Sequence, residues 1–471
     1  MMRAIRPRLL AVPRLARPRR MLSGIAAQNA ALQKELDRVR LELKALREAS
    51  ATPFPPEGEQ SKFVGAKGVY TTELRFWEPQ EDLLPPVLPV FRLMNDVGDL
   101  MPGAEIAVPR LTREEALAMM ITMVRVQEFD KVFLESQRQG RIAFYLTSRG
   151  EEAASIGSAA ALDPLDWMLP QYREMGAMFW RGFSFDDVAN QLVANGADTA
   201  HGRQLGMHLG SKTKRVVSIS SPLGTQCPQA AGVAYAMKQM ATKQVALAYF
   251  GEGSASEGDV PSALNIAAVH GCPTIFFCRN NGYAISTGAE NQYAGDGVAL
   301  RGLAFGMPTI RVDGNDILAV LAATHHARRI ALEEGRPTLI EAMTYRIGAH
   351  STSDDDSKYR NPRPPEEGWD SERAYWEARS PVVRFGRYLH AKGWFNGQME
   401  DSIRLEARRQ AIASLNKAHA VGGPATRHLF TDVYDVPTPI LREQQAALKK
   451  QIETYPEHYR SYLSAEQLEG L

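Results

Sequence analysis

Residues 249–259 read YFGEGSASEGD, so one carboxylate, Glu252, sits between Gly251 and Gly253 directly after an apolar run at 245–250. A continuous apolar run ending in a glycine loop fits a buried parallel strand, and open α/β sheets bind ligands just past the carboxyl ends of such strands. The helix expected next turns its first amides toward the loop, which suits an anion, yet a lone glutamate would repel one. A divalent cation resolves the conflict, because Mg²⁺ takes oxygen ligands and bridges one or two side chains to phosphate oxygens. The next apolar run, 274–278, ends in Arg279, Asn280, Asn281, Gly282 and Tyr283. Between Gly253 and Asn280 lie 26 residues, room for one crossover helix and one strand. Glu252, the Asn281 side chain and the Tyr283 carbonyl are therefore expected to meet on one Mg²⁺, with Arg279 as a cation for a diphosphate. A dinucleotide site is excluded, since the GxGxxG pattern needs glycine at the position held by Ser256 and the second strand lacks an acidic ribose ligand. A glycine turn with a solvated Glu252 explains the loop alone, but not the loop and the asparagine pair together.

These groups need a sheet to position them, and the central sequence supplies one. Runs at 245–250, 274–278, 309–312 and 338–345 are apolar, with helical stretches at 260–269 and from Asp316, an N-cap, to about Glu334. Strand, helix, strand with apolar strands predicts an α/β fold whose parallel sheet is covered by helices on both faces. Upstream, Thr112 and Glu115 form a capping box for a helix that stops at Gly140. The helix expected over 225–240 carries Ala230, Ala231, Gly232 and Ala234, small enough for a close neighbour. Leu441, Leu448 and Ile452 share a face of a helix ending at Pro456, so the carboxyl-terminal part is helical.

With those motifs in place, the chain resembles thiamine diphosphate-dependent enzymes, whose metal motif is usually written GDG and NN and here reads GEG and NN. Longer stretches, ESQRQGRIAFY, QYRE, SISSPLGTQ, FFCRNNGYAIST, RVDGND and EAMTYRIGAHSTSDD, are similar to the α subunits of branched-chain 2-oxo acid dehydrogenases from about residue 63 onward. The resemblance implies a thiamine diphosphate-binding fold over 63–471 that catalyses decarboxylation of branched-chain 2-oxo acids. It implies that Gly251, Glu252, Gly253, Asn281 and Tyr283 bind the ion and the cofactor, that Tyr172, Arg173 and Arg279 contact the diphosphate, and that Ser221 and Leu223 are further cofactor contacts. Ser220, Pro222, Thr225 and Gln226 match a K⁺ site of the family, although their spacing alone reads as a turn entering a helix. His350 matches a catalytic histidine beside the cofactor, and the imidazole's ordinary pKa near working pH suits proton transfer. Ser351 matches an inhibitory phosphorylation site, implying a regulatory kinase and phosphatase. Two departures stand out: Ala349 replaces a family histidine, and Asn361 replaces a second phosphorylatable serine.

The cofactor-activating glutamate of such enzymes comes from a separate β subunit, so the resemblance implies an α2β2 heterotetramer that acylates the lipoyl group of a transacylase core. A pyruvate dehydrogenase α subunit shares the metal motif and is the alternative enzyme. A non-catalytic scaffold of the same fold is the alternative of another class, and retention of both Glu252 and Asn281 argues against it. The segment 351–365 is polar, acidic and rich in proline, and is expected to be a mobile surface loop.

Composition agrees with a large soluble enzyme, at 471 residues with 44% hydrophobic and 23% charged. Seven arginines and no acid fall in residues 1–24, the pattern of a mitochondrial transit peptide and hence a matrix address. Residues 25–62 read as a helical arm, with a leucine stripe from Leu32 to Leu46, followed by a Pro-rich linker. Three cysteines without metal spacing fit a reducing compartment, and nothing points to nucleic acid or a membrane span.

Overall fold

The structure, a computed structural model, describes residues 58–65, 68–79, 87–360, 365–459 and 463–468, together with Lys34 and Arg38. The arginine-rich leader, the leucine stripe and Asn361 lie outside the described residues. Seven strands form one parallel sheet: β1 (Tyr70–Thr71), β2 (Val90–Phe91), β3 (Trp167–Leu169), β4 (Ala246–Gly251), β5 (Thr274–Asn280), β8 (Thr309–Asp313) and β9 (Thr338–Met343). Their order is β1-β2-β8-β9-β5-β4-β3, and β6 (Tyr283–Ala284) and β7 (Thr287–Gly288) make a separate antiparallel pair. Every residue of β5, β8 and β9 is buried, as continuous apolar runs require when helices cover both faces.

The helices sit where the periodicity places them. The capping box closes on Arg113–Arg138: the Thr112 hydroxyl accepts from the Glu115 amide at 3.2 Å and the Glu115 carboxylate accepts from the Thr112 amide at 2.8 Å. Asp316 caps Ile317–Glu333 through the amides of Leu318 and Ala319, and its other oxygen accepts from Leu93 and Met94, tying β2 to the cap. In Gln226–Gln239, Ala230, Ala231 and Ala234 are fully buried, but Gly232 faces open space, so only the alanines make the close face. The helix Pro439–Thr454 forms as expected, with none of its residues buried. No described helix is long and apolar enough to cross a membrane.

β4 and β5 are adjacent and in register, with Gly251 opposite Arg279. That pairing brings the glycine loop and the double asparagine to one sheet edge. The helix Asp259–His270 makes the crossover between them.

Candidate functional site

Past the carboxyl ends of β4 and β5 lies a cavity of about 380 Å³, and Tyr172, Arg173, Ser221, Leu223, Gly251, Glu252, Gly253, Arg279, Asn281, Tyr283 and His350 all line it. Residues from five separate stretches of sequence meet there. Gly253 has to be glycine, because a β carbon would come within 2.6 Å of the Ala284 side chain.

Glu252 is 2% exposed, and its electrostatics are those of a carboxylate lacking a counter-charge. Its Oε2 accepts a long bond from the Asn281 amide, 3.3 Å, while Oε1 is buried without a hydrogen-bond partner among the described residues. Burial, and then the neighbouring Glu151 charge, push its pKa up to about 7. A buried carboxylate oxygen left unpaired is costly, and a bound cation is one of the few ways to relieve it. Asn281 Oδ1 accepts from the Tyr283 amide at 3.2 Å, and the Tyr283 carbonyl accepts from Arg346 Nη1 at 3.4 Å. Acid, amide and carbonyl oxygens thus belong to residues that border one cavity, a hard-oxygen set of the kind that fits Mg²⁺.

The arginines are less available than their sequence matches suggest. Arg279 donates from Nε to Glu174 and from Nη1 to Glu151, each at 2.5 Å, and is 2% exposed. Arg173 donates to the carbonyls of Thr147, 2.5 Å, and His350, 3.0 Å. Against the cost of burial, Arg279 and then Arg173 hold the Glu151 carboxyl below its usual range. With Arg346, three arginines face Glu151, Glu174 and Glu252, so the wall is close to neutral. A diphosphate therefore needs the two positive charges of a metal ion to offset its own repulsion.

His350 is half-buried. Its amide donates to Asp354 Oδ2 at 2.7 Å and its Nε2 lies 3.4 Å from the Tyr172 hydroxyl. Burial first, then Arg173 and Arg346, lower its pKa to about 4. The imidazole is thus held well below the ordinary histidine value that the sequence reading started from, so before any anion docks beside Arg173 its neutral form prevails. The loop after it also differs from expectation. Its described part is pinned, with Tyr359 and the His350 amide both on Asp354, and Arg360 holding Asp356 at 2.6 Å and the Gly348 carbonyl at 2.8 Å. Arginine and tyrosine side chains spaced through a polar stretch can bond back to it, and composition does not report that.

The residues matched to K⁺ lie in the turn before Gln226–Gln239. Thr225 Oγ1 donates to the Pro222 carbonyl at 3.2 Å, and Gln226 Nε2 donates to the Tyr249 carbonyl at 2.7 Å. No orphaned buried oxygen is found among Ser220, Pro222, Thr225 and Gln226.

Several cavity residues escaped the sequence reading. Gln171 accepts from the Gly251 amide at 2.8 Å, Arg346 braces the Tyr283 carbonyl, and Ser254 Oγ is buried without a partner among the described residues. Gln171 and Arg346 stand inside the stretches QYRE and YRIGAH, and only proximity in sequence could have flagged them. Elsewhere, His201, His428 and Asp432 bring three ligand atoms within 4.8 Å of one another. The two imidazoles are stacked at 3.9 Å and 13°, so their in-plane lone pairs cannot converge on one ion, and Asp432 is already paired with Arg203.

The chain is similar to known proteins over most of its length. The family model described as "Dehydrogenase E1 component" matches residues 118–426. A Caenorhabditis elegans protein named 2-oxoisovalerate dehydrogenase subunit alpha, mitochondrial, is 44% identical over 401 residues, 85% of this chain and 90% of that one. Proteins of the same name from Homo sapiens and Dictyostelium discoideum are 43% and 46% identical, covering 86% and 83% of this chain and 88% and 86% of their own lengths.

Proposed function

Because the chain belongs to the dehydrogenase E1 component family, in its branched-chain 2-oxo acid dehydrogenase α-subunit branch, we propose that it binds the diphosphate end of thiamine diphosphate through Mg²⁺ held by Glu252, Asn281 and the Tyr283 carbonyl. It is the α subunit of a decarboxylating enzyme for branched-chain 2-oxo acids, works with a β subunit, and shares the mitochondrial address in its relatives' names. The observation that carries the cofactor reading is the unpaired, buried Oε1 of Glu252 at the edge of the sheet.

When bound, the cofactor supplies the carbon nucleophile and electron sink that make loss of CO₂ from a 2-oxo acid feasible. The chain's own residues do the rest. Tyr172 and Arg173 hold the diphosphate end, with Arg279 bracing the wall through Glu151 and Glu174. Gly251 and Gly253 let the backbone approach, and Ser221 and Leu223 border the cavity. His350, kept neutral by burial and two arginines, accepts a proton near the reacting carbon or holds a substrate oxygen. An α2β2 assembly, delivery of the acyl group to a lipoyl-bearing transacylase and a K⁺ at Ser220, Pro222, Thr225 and Gln226 follow from the resemblance alone.

Ser351 lies beside this site, next to His350 and near Asp354. A phosphate there, of charge about −1.5 to −2, would repel Asp354 and break its bond to the His350 amide. Incubation with a family kinase should modify Ser351 and silence the enzyme; unmodified Ser351 with activity unchanged would refute the regulatory role.

The test of the function is co-expression with a β subunit and assay against 3-methyl-2-oxobutanoate and pyruvate, with and without Mg²⁺ and thiamine diphosphate. Preference for the branched acid, dependent on both additions, is expected. Preference for pyruvate would move the chain to the pyruvate dehydrogenase branch, and no binding of the cofactor would favour a scaffold.

A further inference from the structure

A second cavity, of about 610 Å³, is lined by residues of the segments 197–200 and 208–218, and His208 forms part of its wall. Ser221 lines the cofactor cavity instead. The two residues join across the partition, with His208 Nε2 at 2.8 Å from Ser221 Oγ.

The other ring nitrogen decides the direction of that bond. His208 Nδ1 lies 3.1 Å from the Gly206 carbonyl, which can only accept, so Nδ1 carries the proton. In the neutral ring Nε2 is then bare, and the Ser221 hydroxyl must donate to it. Ser221 Oγ is left with its lone pairs for the cofactor cavity and no proton of its own to give.

The ring is held firmly enough to impose this. Met207, fully buried, adopts a left-handed backbone with φ 68°, an uncommon conformation for a side chain of its size. Gln191 clamps both sides of it, accepting from the Met207 amide and donating to the Leu205 carbonyl, each at 2.8 Å. The Met207 sulfur accepts from the Leu146 amide at 3.0 Å. The two backbone segments also run close: the Ile219 amide donates to the Leu209 carbonyl at 3.1 Å, and a β carbon on Gly210 would come within 2.6 Å of the Ser218 Cα. His208 itself is 6% exposed.

From this geometry we propose that His208 is a positioning residue, one that turns the Ser221 hydroxyl away from the cofactor cavity and presents Ser221 Oγ there as a hydrogen-bond acceptor. The group it receives is an N–H or O–H donor of the bound cofactor or substrate, not a carboxylate or phosphate oxygen. This rests on the reading of that cavity as the cofactor site. Without the imidazole, the serine hydroxyl samples all three staggered rotamers and loses its fixed polarity.

The test is a double-mutant cycle in the α/β complex with His208→Ala, Ser221→Ala and the pair, plus His208→Gln. Thiamine diphosphate affinity with Mg²⁺ is measured by calorimetry, alongside turnover and the thermal midpoint. Each single alanine is expected to cost about tenfold in affinity or turnover, the pair no more than the worse single, and His208→Gln is expected to recover most of the loss. The thermal midpoint guards against simple unfolding, since glutamine keeps the volume. Losses that multiply in the pair, or wild-type behaviour of His208→Ala, overturn the proposal while leaving the cofactor reading intact. Failure of the wild-type complex to bind thiamine diphosphate overturns both.

Discussion

Two buried glutamates stand on either side of β5 in the same sheet and live under opposite conditions. Glu341, within β9, is saturated: it accepts from Asn280 Nδ2 and the Val298 amide at 2.8 Å and from the Ala299 amide and Arg311 Nε at 3.0 Å. Gly297, at φ 67°, makes room for it, since a β carbon there would come within 2.6 Å of Glu341 Oε1. Glu252, past the end of β4, has one long bond on Oε2 and, among the described residues, none on Oε1. The adjacent asparagines divide the same way, Asn280 turning inward to Glu341 and Tyr293, Asn281 facing the cavity with Glu151. Saturation fits a carboxylate that holds the fold, and starvation fits the proposal that Glu252 is kept for a ligand. Residue type and burial, which are the same in both, cannot tell them apart.

The comparison breaks most readily at Glu341. Glu341→Ala leaves Arg311 with Asp296 and the Leu88 carbonyl and strands the amides of Val298 and Ala299, so we expect a loss of about 3–5 kcal/mol in chemical denaturation. A loss below about 1 kcal/mol would mean the saturated cluster is not structural.

Glu252→Gln should act in the opposite sense. The folded-state pKa of Glu252, about 7, lies above the ordinary 4.5. As pH rises through that window the unfolded chain gives up a proton that the folded chain keeps, so the wild type loses stability, by up to about 3 kcal/mol above pH 7. Without cofactor, the glutamine variant should melt above the wild type at pH 8 and level with it at pH 4. With Mg²⁺ and thiamine diphosphate the order should reverse, because only the wild type gains stability from binding. An apo variant less stable than the wild type at pH 8 would show that Glu252 is already satisfied.

The smallest effects sharpen the division between neighbours. Asn280→Ala should cost about 1–2 kcal/mol of stability through its lost bonds to Tyr293, Glu341 and the Gly282 amide. Asn281→Ala should leave the melting temperature within a few degrees of the wild type and weaken Mg²⁺-dependent cofactor binding, read by calorimetry. Equal effects of the two on both measurements would erase the distinction.

Much of this architecture was legible in the chain. β4, β5, β8 and β9 are long apolar runs whose burial on both faces leaves no polar alternation, and Asp316 and Thr112 announce their helices by cap chemistry. β1, β2 and β3 were not legible, because two or three residues, such as Tyr70 and Thr71, carry no periodicity, and their place comes from the neighbours they pair with. The glycine loop and Asn281 line the cavity, whereas Asn280 turns inward. The ties that occupy Arg173 and Arg279 did not show, since Glu151 and Glu174 reach Arg279 across more than 100 positions of sequence.

By itself the sequence determined which side chains could take part: an acid between two glycines, two amides, a histidine and a set of arginines at the ends of apolar strands. Only the tertiary structure decided which of them are free to act. A hydrogen bond or ion pair forms wherever geometry brings donor and acceptor together, whatever their separation along the chain, so the oxygen left without a partner on Glu252 can be found only after every other polar group in the fold has been matched.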